Sequence, residues 1–428
     1  MGLAYVAAAL LEAGHHVEII DAHALNWSWR RFEDEVAHRM PDVLGLTAMT
    51  PVADVAARAA QVARRHVGRI VLGGPHPTAV GEQVFSEMPE LDAAIVGEGE
   101  RSAVALMSWW AQGAAGDPPP GVRIPGAPFQ KATPVADLTQ LPMPARHLLP
   151  NQAYRYLFAT RRGFGTMITS RGCPFRCSFC DKSVGGSRWR ARPAAHVVDE
   201  MAQMRHQHNL RFINFYDDNF TLQRSRVEAI CEEILRRGLD VEWKCEGRVD
   251  GVDEPLLRLM RRAGCRVVAY GVESGNPQTL ALLRKDITVE QSREAFAATR
   301  AAGLRSLAYM ILGAPGEDRR AVLQSVRFCR ELGADYVQFS SLTAMPGTPL
   351  FSSHTPGEPV RNPLDGDQHR ATITDLPPAE RSKLMRTAWT GFYMRPKPIL
   401  RLTVDALRSG SVDEGLRMAG AWARWAVT

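Results

Sequence analysis

No cysteine precedes Cys173 and none follows Cys329, although the chain runs to 428 residues and holds seven cysteines in all. A disulfide framework would spread pairs along the chain. An odd count with three packed into one short window fits a metal site in a reducing compartment instead. There is no run of about 18 uninterrupted apolar residues, the length a membrane-spanning helix needs. The apolar opening, residues 1–11, has no basic flank and is broken by Glu12, so it reads as a buried helix rather than an export signal. No run of five or six like charges occurs. The net charge of +6 therefore comes from scattered arginines, and no nucleic-acid partner is expected. A soluble, cytoplasmic protein is the expectation. With 45% hydrophobic and 23% charged residues the chain is globular, and its length asks for more than one core.

Along residues 1–112 helical and strand patterns alternate: helix 2–12 closed by Gly14, strand 16–21, helix 31–39, strand 43–46, helix 53–65, strand 69–72, helix 79–88 and strand 93–96. Short Gly-rich turns between them predict a Rossmann-like (flavodoxin-like) α/β domain, with ligands beyond the C-terminal ends of the strands. Such domains open on a strand. This chain opens on a helix, so the first strand and its loop are missing from the pattern.

Residues 113–160, rich in Pro, Gly and Ala over much of their length, read as a linker. From 161 to 350 the rhythm resumes, with strands near 166–170, 212–216, 242–246, 267–271, 306–312 and 336–340. Helices are expected at 194–206, 225–236, 254–263, 289–301 and 320–332. Six units predict a partial (β/α)6 TIM-type barrel, whose chemistry sits at the strand ends. Residues 351–428 lose the strand signal. Helices at 378–395, 399–408 and 412–425 form a C-terminal region with basic and aromatic faces, including Phe392, Tyr393, Trp422 and Trp425. They are expected to pack against the barrel, with contact to a membrane surface as the alternative.

Directly after the first barrel strand comes Ser170-Arg-Gly-Cys173-Pro-Phe-Arg-Cys177-Ser-Phe-Cys180. Three thiolates so close together can wrap a loop around one soft metal centre. A structural zinc site would want four protein ligands, and no second cysteine pair is present. Three ligands on a four-iron cluster leave one iron open to a chelating substrate. Polar groups then recur at successive strand ends: Asp217 and Asp218 after the second, Glu246 and Arg248 after the third, Glu273 and Ser274 after the fourth, Gly313 and Glu317 after the fifth. Adjacent carboxylates suit an ammonium, although a solvated turn with an Asx cap would look the same at Asp217 and Asp218.

This constellation resembles the radical SAM superfamily, whose signature is CxxxCxxC with an aromatic residue before the last cysteine, here Phe179. The resemblance implies a [4Fe–4S] cluster on Cys173, Cys177 and Cys180, whose open iron chelates S-adenosylmethionine (SAM) and whose reduction releases a 5′-deoxyadenosyl radical. It further implies that Phe179 packs the adenine and that Asp217 and Asp218 meet the methionine amino group. Glu246, Arg248, Glu273 and Ser274 would hold ribose hydroxyls or the carboxylate, and Gly313 and Glu317 belong to the adenine segment.

The wording of the first domain, with residues 16–21, Leu72-Gly-Gly-Pro-His76 and Val96-Gly-Glu98-Gly-Glu100, resembles the cobalamin-binding domain fused ahead of many such enzymes. Thr47, Thr50, Gly73, Gly74 and Thr78 would let a nucleotide tail approach the backbone, and His76 would lie near the corrin. The motif that supplies a lower axial histidine is not matched, because Asn26 stands where glycine belongs after Asp21 and His23. The family implies a cobalamin-dependent methyltransferase acting on an unactivated carbon of a small molecule, with flavodoxin or ferredoxin as electron donor. A radical cyclase of the anaerobic magnesium-protoporphyrin ester type shares the plan. A non-catalytic cobalamin or iron–sulfur sensor is the alternative from another class, and the retained strand-end carboxylates argue against it.

Overall fold

The computed structural model describes residues 1–354, 374, 376–413, 415–417 and 420. In the first domain β1 (Val43–Thr47), β2 (Arg69–Gly73) and β3 (Ala93–Ile95) pair in parallel, and β4 (Val122–Arg123) adds antiparallel to β3. The linker segment thus contributes the last strand of the first sheet. Helix Ala53–Ala63 buries Ala53, Ala56, Ala60 and Ala63 on one stripe, small enough to lie close to the sheet. Helix Gly2–Glu12 covers the opposite face beside helix Gly99–Ala111, with Val6 and Leu10 against the cluster that holds Ala103 and Leu106.

Residues 16–21, expected as a strand, pair with no neighbouring strand. A strand needs a neighbour's N–H and C=O groups, and these residues instead lay Val17 and Ile19 on helix Gly2–Glu12. The expected helix 79–88 is a helix Pro75–Val80, one 3₁₀ turn and a short helix Val84–Glu87, broken at Gly81 with its φ of 62°. Helix Gly99–Ala111 was not signalled by the sequence pattern, because its start at Glu98-Gly99-Glu100 reads as a loop.

The second sheet carries the six expected strands: β5 (Phe164–Met167), β8 (Phe212–Phe215), β9 (Glu242–Gly247), β10 (Cys265–Glu273), β11 (Arg305–Leu312) and β12 (Tyr336–Ser341). All pair in parallel in the order β12-β11-β10-β9-β8-β5, a partial barrel. Between β5 and β8, β6 (Ser170–Arg171) and β7 (Arg190–Ala191) form a separate antiparallel ribbon that closes the cysteine loop at its neck.

Side chains alternate across each strand. Phe215, Trp243, Cys245, Val268, Tyr270 and Ala308 join the helices in the main core. Their neighbours Asn214, Lys244, Glu246, Ala269 and Tyr309 accordingly face the barrel interior. The floor of that interior is aromatic: Tyr156 stacks on Phe164 at 4.9 Å, and Phe158 meets Tyr336 at 4.6 Å. Helix Pro396–Ser409 seals it from below, its fully buried Asp405 accepting from Arg305 at 2.5 Å and from the Tyr336 hydroxyl. Helix Pro378–Tyr393 packs against the barrel flank, with Phe392 fully buried and the Tyr393 hydroxyl on the Val337 backbone. Trp422 and Trp425 lie outside the described residues. Among the described residues no helix is long and apolar enough to cross a membrane.

Candidate active site

The cysteine loop is pinned at both ends by backbone geometry. Gly172 has a φ of 84°, and a Cβ there would come within 2.4 Å of the Arg188 carbonyl and 2.8 Å of the Gly185 carbonyl, so only glycine fits. Cys173 N donates to the Gly186 carbonyl and Cys180 N to the Cys177 carbonyl. Ser178 N reaches the Leu283 carbonyl at 3.0 Å and Leu350 N the Ser178 carbonyl at 2.9 Å, tying the loop to two barrel loops.

Cys177 is buried, while Cys173 and Cys180 are half-buried. Among the described residues no three His, Cys, Asp or Glu side chains close on a point that would hold a single metal ion. Burial pushes the Cys177 thiol up and the Cys180 thiol to about 11, so iron must displace protons to bind. The positive charges of Lys285 and Arg248 act on Cys177 in the opposite sense. Three cysteines with cations beside them fit an anionic iron–sulfur cluster.

Around this loop the strand ends form a polar ring. Phe179 packs with Ile311, Ala314 and Leu342, which places it beside the Gly313–Glu317 turn. Arg248 lies 3.7 Å from the centroid of Phe175 and forks onto Asp250 with two bonds of 2.9 Å. Glu273, at an unusual φ of 63°, pairs with Lys285 at 2.6 Å, and Lys285 Nζ stands 5.8 Å from the Phe179 ring centroid. Lys285 was missed in the sequence because it sits in the charged run Arg284-Lys285-Asp286, which looks like a solvated turn.

Several expected ligand contacts are committed elsewhere. Asp217 is buried and accepts from Thr169 N at 2.6 Å, Thr169 Oγ1 at 2.5 Å and Ser170 Oγ at 2.6 Å. Its neighbour Asp218 is exposed as a residue, but its carboxylate turns to the cysteine loop and takes Gly172 N at 2.9 Å, where burial raises its pKa. Glu317 caps its own turn by accepting from Gly313 N and Ala314 N, and it takes the Thr279 hydroxyl as well. Ser274 is fully buried against Ser325. These groups build the walls of the ring.

Inside the ring, Lys244 is fully buried and bonds Asn214 at 3.3 Å and Glu246. The Tyr309 hydroxyl donates to Glu246 Oε1 at 3.1 Å. Glu246 Oε2 is buried with no hydrogen-bond partner among the described residues. A buried acceptor without a donor is costly, and the ammonium or ribose hydroxyls of SAM would supply the donor. Tyr216, Gln338 and Ser340 line the same interior and are exposed, which leaves a polar chamber open to solvent.

At the edge of the first sheet, Gly74 has a φ of 101°, and a Cβ there would meet the Ala48 carbonyl and Thr47 Oγ1 at 2.8 Å. Thr78 Oγ1 donates to the Gly74 carbonyl at 2.7 Å and accepts from Gly97 N at 3.0 Å. Gly73 has ordinary clearance. Thr47 is exposed at the strand end. His76 is fully buried, its Nδ1 3.2 Å from the hydroxyl of the equally buried Thr50 and its Nε2 2.8 Å from Glu87. The sequence placed His76 and Thr50 toward a cofactor; the structure places them in the domain core. His23 is exposed, while Asp21 bonds Ala24 N and the Tyr154 hydroxyl.

What this edge offers a corrin is apolar and roomy. Met49, Val52 and Val55 are 59%, 42% and 50% exposed just after β1, and a Cβ on Gly97 would meet open space. An open cleft of about 440 Å³ lies between Ala79 of this domain and Pro346, Gly347, Thr348, Pro349, Phe351 and Ser352 at the end of the barrel. Gly347 there approaches both Ala79 and Asp181, the residue after Cys180. Small edge residues, exposed apolar side chains and a cleft beside the cysteine loop fit cobalamin without a histidine ligand from position 76.

Comparison with known proteins gives the family. Residues 167–329 match the radical SAM superfamily model and residues 1–107 the B12 binding domain model. An uncharacterized methyltransferase of Pyrococcus horikoshii is 32% identical across 94% of this chain and 89% of its own length. The anaerobic magnesium-protoporphyrin IX monomethyl ester cyclase of Rubrivivax gelatinosus is 31% identical across 82% of this chain and 65% of its own. The radical SAM methyltransferase TsrM of Kitasatospora setae, solved with cobalamin and a [4Fe–4S] cluster, shares the fold with a TM-score of 0.67 at 21% identity, over 82% of this chain and 70% of that one. The chain belongs to the radical SAM superfamily. Within it, this is an enzyme of the group that carries a B12 binding domain ahead of the barrel, and the cluster, SAM and cobalamin are its cofactors.

Proposed function

We propose that the protein is a cobalamin-dependent radical SAM methyltransferase that methylates an unactivated carbon of a small molecule. One observation carries this reading: the cysteine loop, the loop after the last barrel strand and the ligand edge of the first domain meet where Gly347 lies between Asp181 and Ala79. When bound, the cluster supplies the electron that cleaves SAM, and cobalamin carries the methyl group.

Cys173, Cys177 and Cys180 hold the cluster. Phe179 and the turn of Gly313 face the adenine, while Arg248, Glu246 and the Glu273–Lys285 pair orient the ribose and the amino-acid end of SAM. Asp217, Ser274 and Glu317 act on these contacts through the backbone they hold. Asp218 stays available to an ammonium. Thr47, Gly73, Gly74 and Thr78 shape the edge against which the cofactor tail lies.

The chamber lined by Asn214, Lys244, Glu246, Tyr309 and Gln338 favours a substrate with hydrogen-bonding groups. An unpaired hydrocarbon there would strand buried donors and acceptors. Electrons come from a small reductant such as flavodoxin or ferredoxin, and the compartment is the cytoplasm. Radical ring closure of the cyclase type is the second reading, favoured by the 31% identity to that enzyme.

The test is anaerobic reconstitution with iron and sulfide, followed by SAM and dithionite. Production of 5′-deoxyadenosine is expected, and its absence overturns the enzyme reading. Transfer of a labelled SAM methyl group to product, with cobalamin added, then separates methylation from cyclisation.

A further inference from the structure

Arg171 and Arg190 face each other as cross-strand partners in the β6–β7 ribbon, at the neck of the loop that carries the three cysteines. Like charges directly opposite in an antiparallel pair repel. Here the two side chains are only 14% and 5% exposed, so water screens them poorly. Both carboxylates that neutralise them come from the first domain. Arg190 forks onto Glu98 at 2.7 and 3.1 Å. Arg171 bonds Glu100 at 2.5 Å and lies 3.3 Å from Glu98.

Glu98 and Glu100 flank Gly99 at the start of helix Gly99–Ala111, directly after β3 and the Gly97 turn. They stand at the ligand edge of the first sheet. Glu98 is braced by Val135 N at 3.0 Å, and one oxygen of Glu100 is buried without a partner. Arg190 also donates to the Val135 and Gly185 carbonyls, but only these carboxylates offset the charge of the two opposed arginines. The segment between the arginines is what must hold its shape for three thiolates to reach one cluster. Docking of the domains does not itself need this contact. The Tyr5 hydroxyl of the first domain already bonds the Ile168 carbonyl at 3.3 Å and Arg192 at 3.2 Å in the barrel, and fully buried Glu200 holds Arg192 together with Arg146 of the linker segment.

We propose that Glu98 and Glu100 are positioning residues for the iron–sulfur cluster, so that the first domain completes the cluster site of the second. The proposal rests on Cys173, Cys177 and Cys180 being the cluster ligands. Changes to groups that hold metal ligands in place commonly weaken metal binding about 10- to 100-fold.

The test is a double-mutant cycle on the full chain, reconstituted anaerobically, with iron loss to bathophenanthroline disulfonate as the readout. Glu100→Gln leaves Arg171 facing Arg190 with less neutralisation, and iron loss about tenfold faster than wild type is expected. The double variant Glu100→Gln/Arg171→Met removes both charges and should return to within about threefold of wild type. The EPR signal of the reduced cluster should change in the single variant and recover in the double. A wild-type rate for Glu100→Gln, or a double variant no better than the single, overturns the proposal. If Glu100→Gln does not fold, Glu100→Asp replaces it. That change keeps the charge but draws it back by one methylene, so an intermediate rate is expected and a wild-type rate again overturns the idea. A wild-type chain that takes up no iron and sulfide at all would instead sink the functional reading, and this proposal with it.

Discussion

Lys285 Nζ lies 2.6 Å from Glu273 Oε1, and both side chains are buried at the mouth of the barrel. A Cβ on Gly271 would come within 2.4 Å of both charged atoms, so the backbone there is kept bare to make room for the pair. Glu273 holds a left-handed φ that a long side chain rarely adopts. Strain of this kind persists where the surrounding structure enforces it, commonly at a ligand site.

Lys285→Met is therefore expected to leave Glu273 buried and unpaired and to cost about 3–5 kcal/mol of stability, read by urea unfolding. The double variant Lys285→Met/Glu273→Gln should regain most of that stability. It should still bind SAM about tenfold more weakly in equilibrium dialysis, because a charge-assisted contact is gone. Wild-type SAM affinity in the double variant would show that the pair is structural only.

Asp217 and Asp218 invite the opposite test. Asp217 accepts three hydrogen bonds from Thr169 and Ser170 inside the protein. Asp217→Asn turns an acceptor into a donor facing donors, for an expected loss of about 3 kcal/mol in urea unfolding. SAM affinity of the folded protein should change less than about threefold. A tenfold loss of affinity with unchanged stability would return Asp217 to direct contact with the ligand.

The alternation of strands and helices was readable because a parallel β/α unit repeats one hydrophobic pattern, and that pattern alone puts Glu246, Glu273 and Glu317 at strand ends. Which way each side chain turns was not readable. Asp217 and Asp218 are sequence neighbours, yet one is spent on Thr169 and Ser170 and the other turns to the cysteine loop at Gly172. The strand expected at 16–21 has the right residues but no pairing partner, and pairing is not a local property. Contacts between distant segments, such as Arg171 with Glu100, leave no trace in spacing, and Lys285 hides in a charged run.

Gly172→Ala tests the neck of the cysteine loop from the steric side. The added methyl group would overlap the Arg188 and Gly185 carbonyls, both backbone atoms that cannot swing aside. Iron and sulfide per chain after reconstitution should fall to less than about a tenth of wild type, with the barrel's far-UV circular dichroism retained. Full iron content in the variant would mean that the loop closes by some other path.

Glu98 gives the interdomain contact a pH limit. Burial alone would raise its carboxyl, but the Arg190 hydrogen bonds, the Arg171 charge and the Val135 N–H outweigh burial and hold it below the usual value. A carboxylate depressed in the folded state stabilises fully above its unfolded pKa of about 4.3 and loses that contribution as pH falls through the folded value. Amide exchange at residues 170–172 and 189–191, corrected for intrinsic rates, should therefore show constant protection from pH 7 to 5 and a fall only below about 4.3. Protection lost already near pH 6 would point to a histidine rather than Glu98.

His76 separates a core residue from a cobalt ligand. It is fully buried, with Thr50 on one nitrogen and Glu87 on the other. For His76 to reach a cofactor at the sheet edge, both contacts would have to break, and Glu87 would keep only the Gln83 amide as a partner. The structure therefore predicts that cobalt(II) cobalamin bound to the wild-type chain shows no nitrogen splitting from this imidazole in its EPR spectrum. His76→Gln, which can keep a bond to either neighbour, should leave that spectrum and the affinity for cobalamin unchanged, while lowering stability by about 1–3 kcal/mol. A nitrogen triplet in the wild type that disappears in the variant would place His76 on the metal and require the first domain to open when it binds its cofactor.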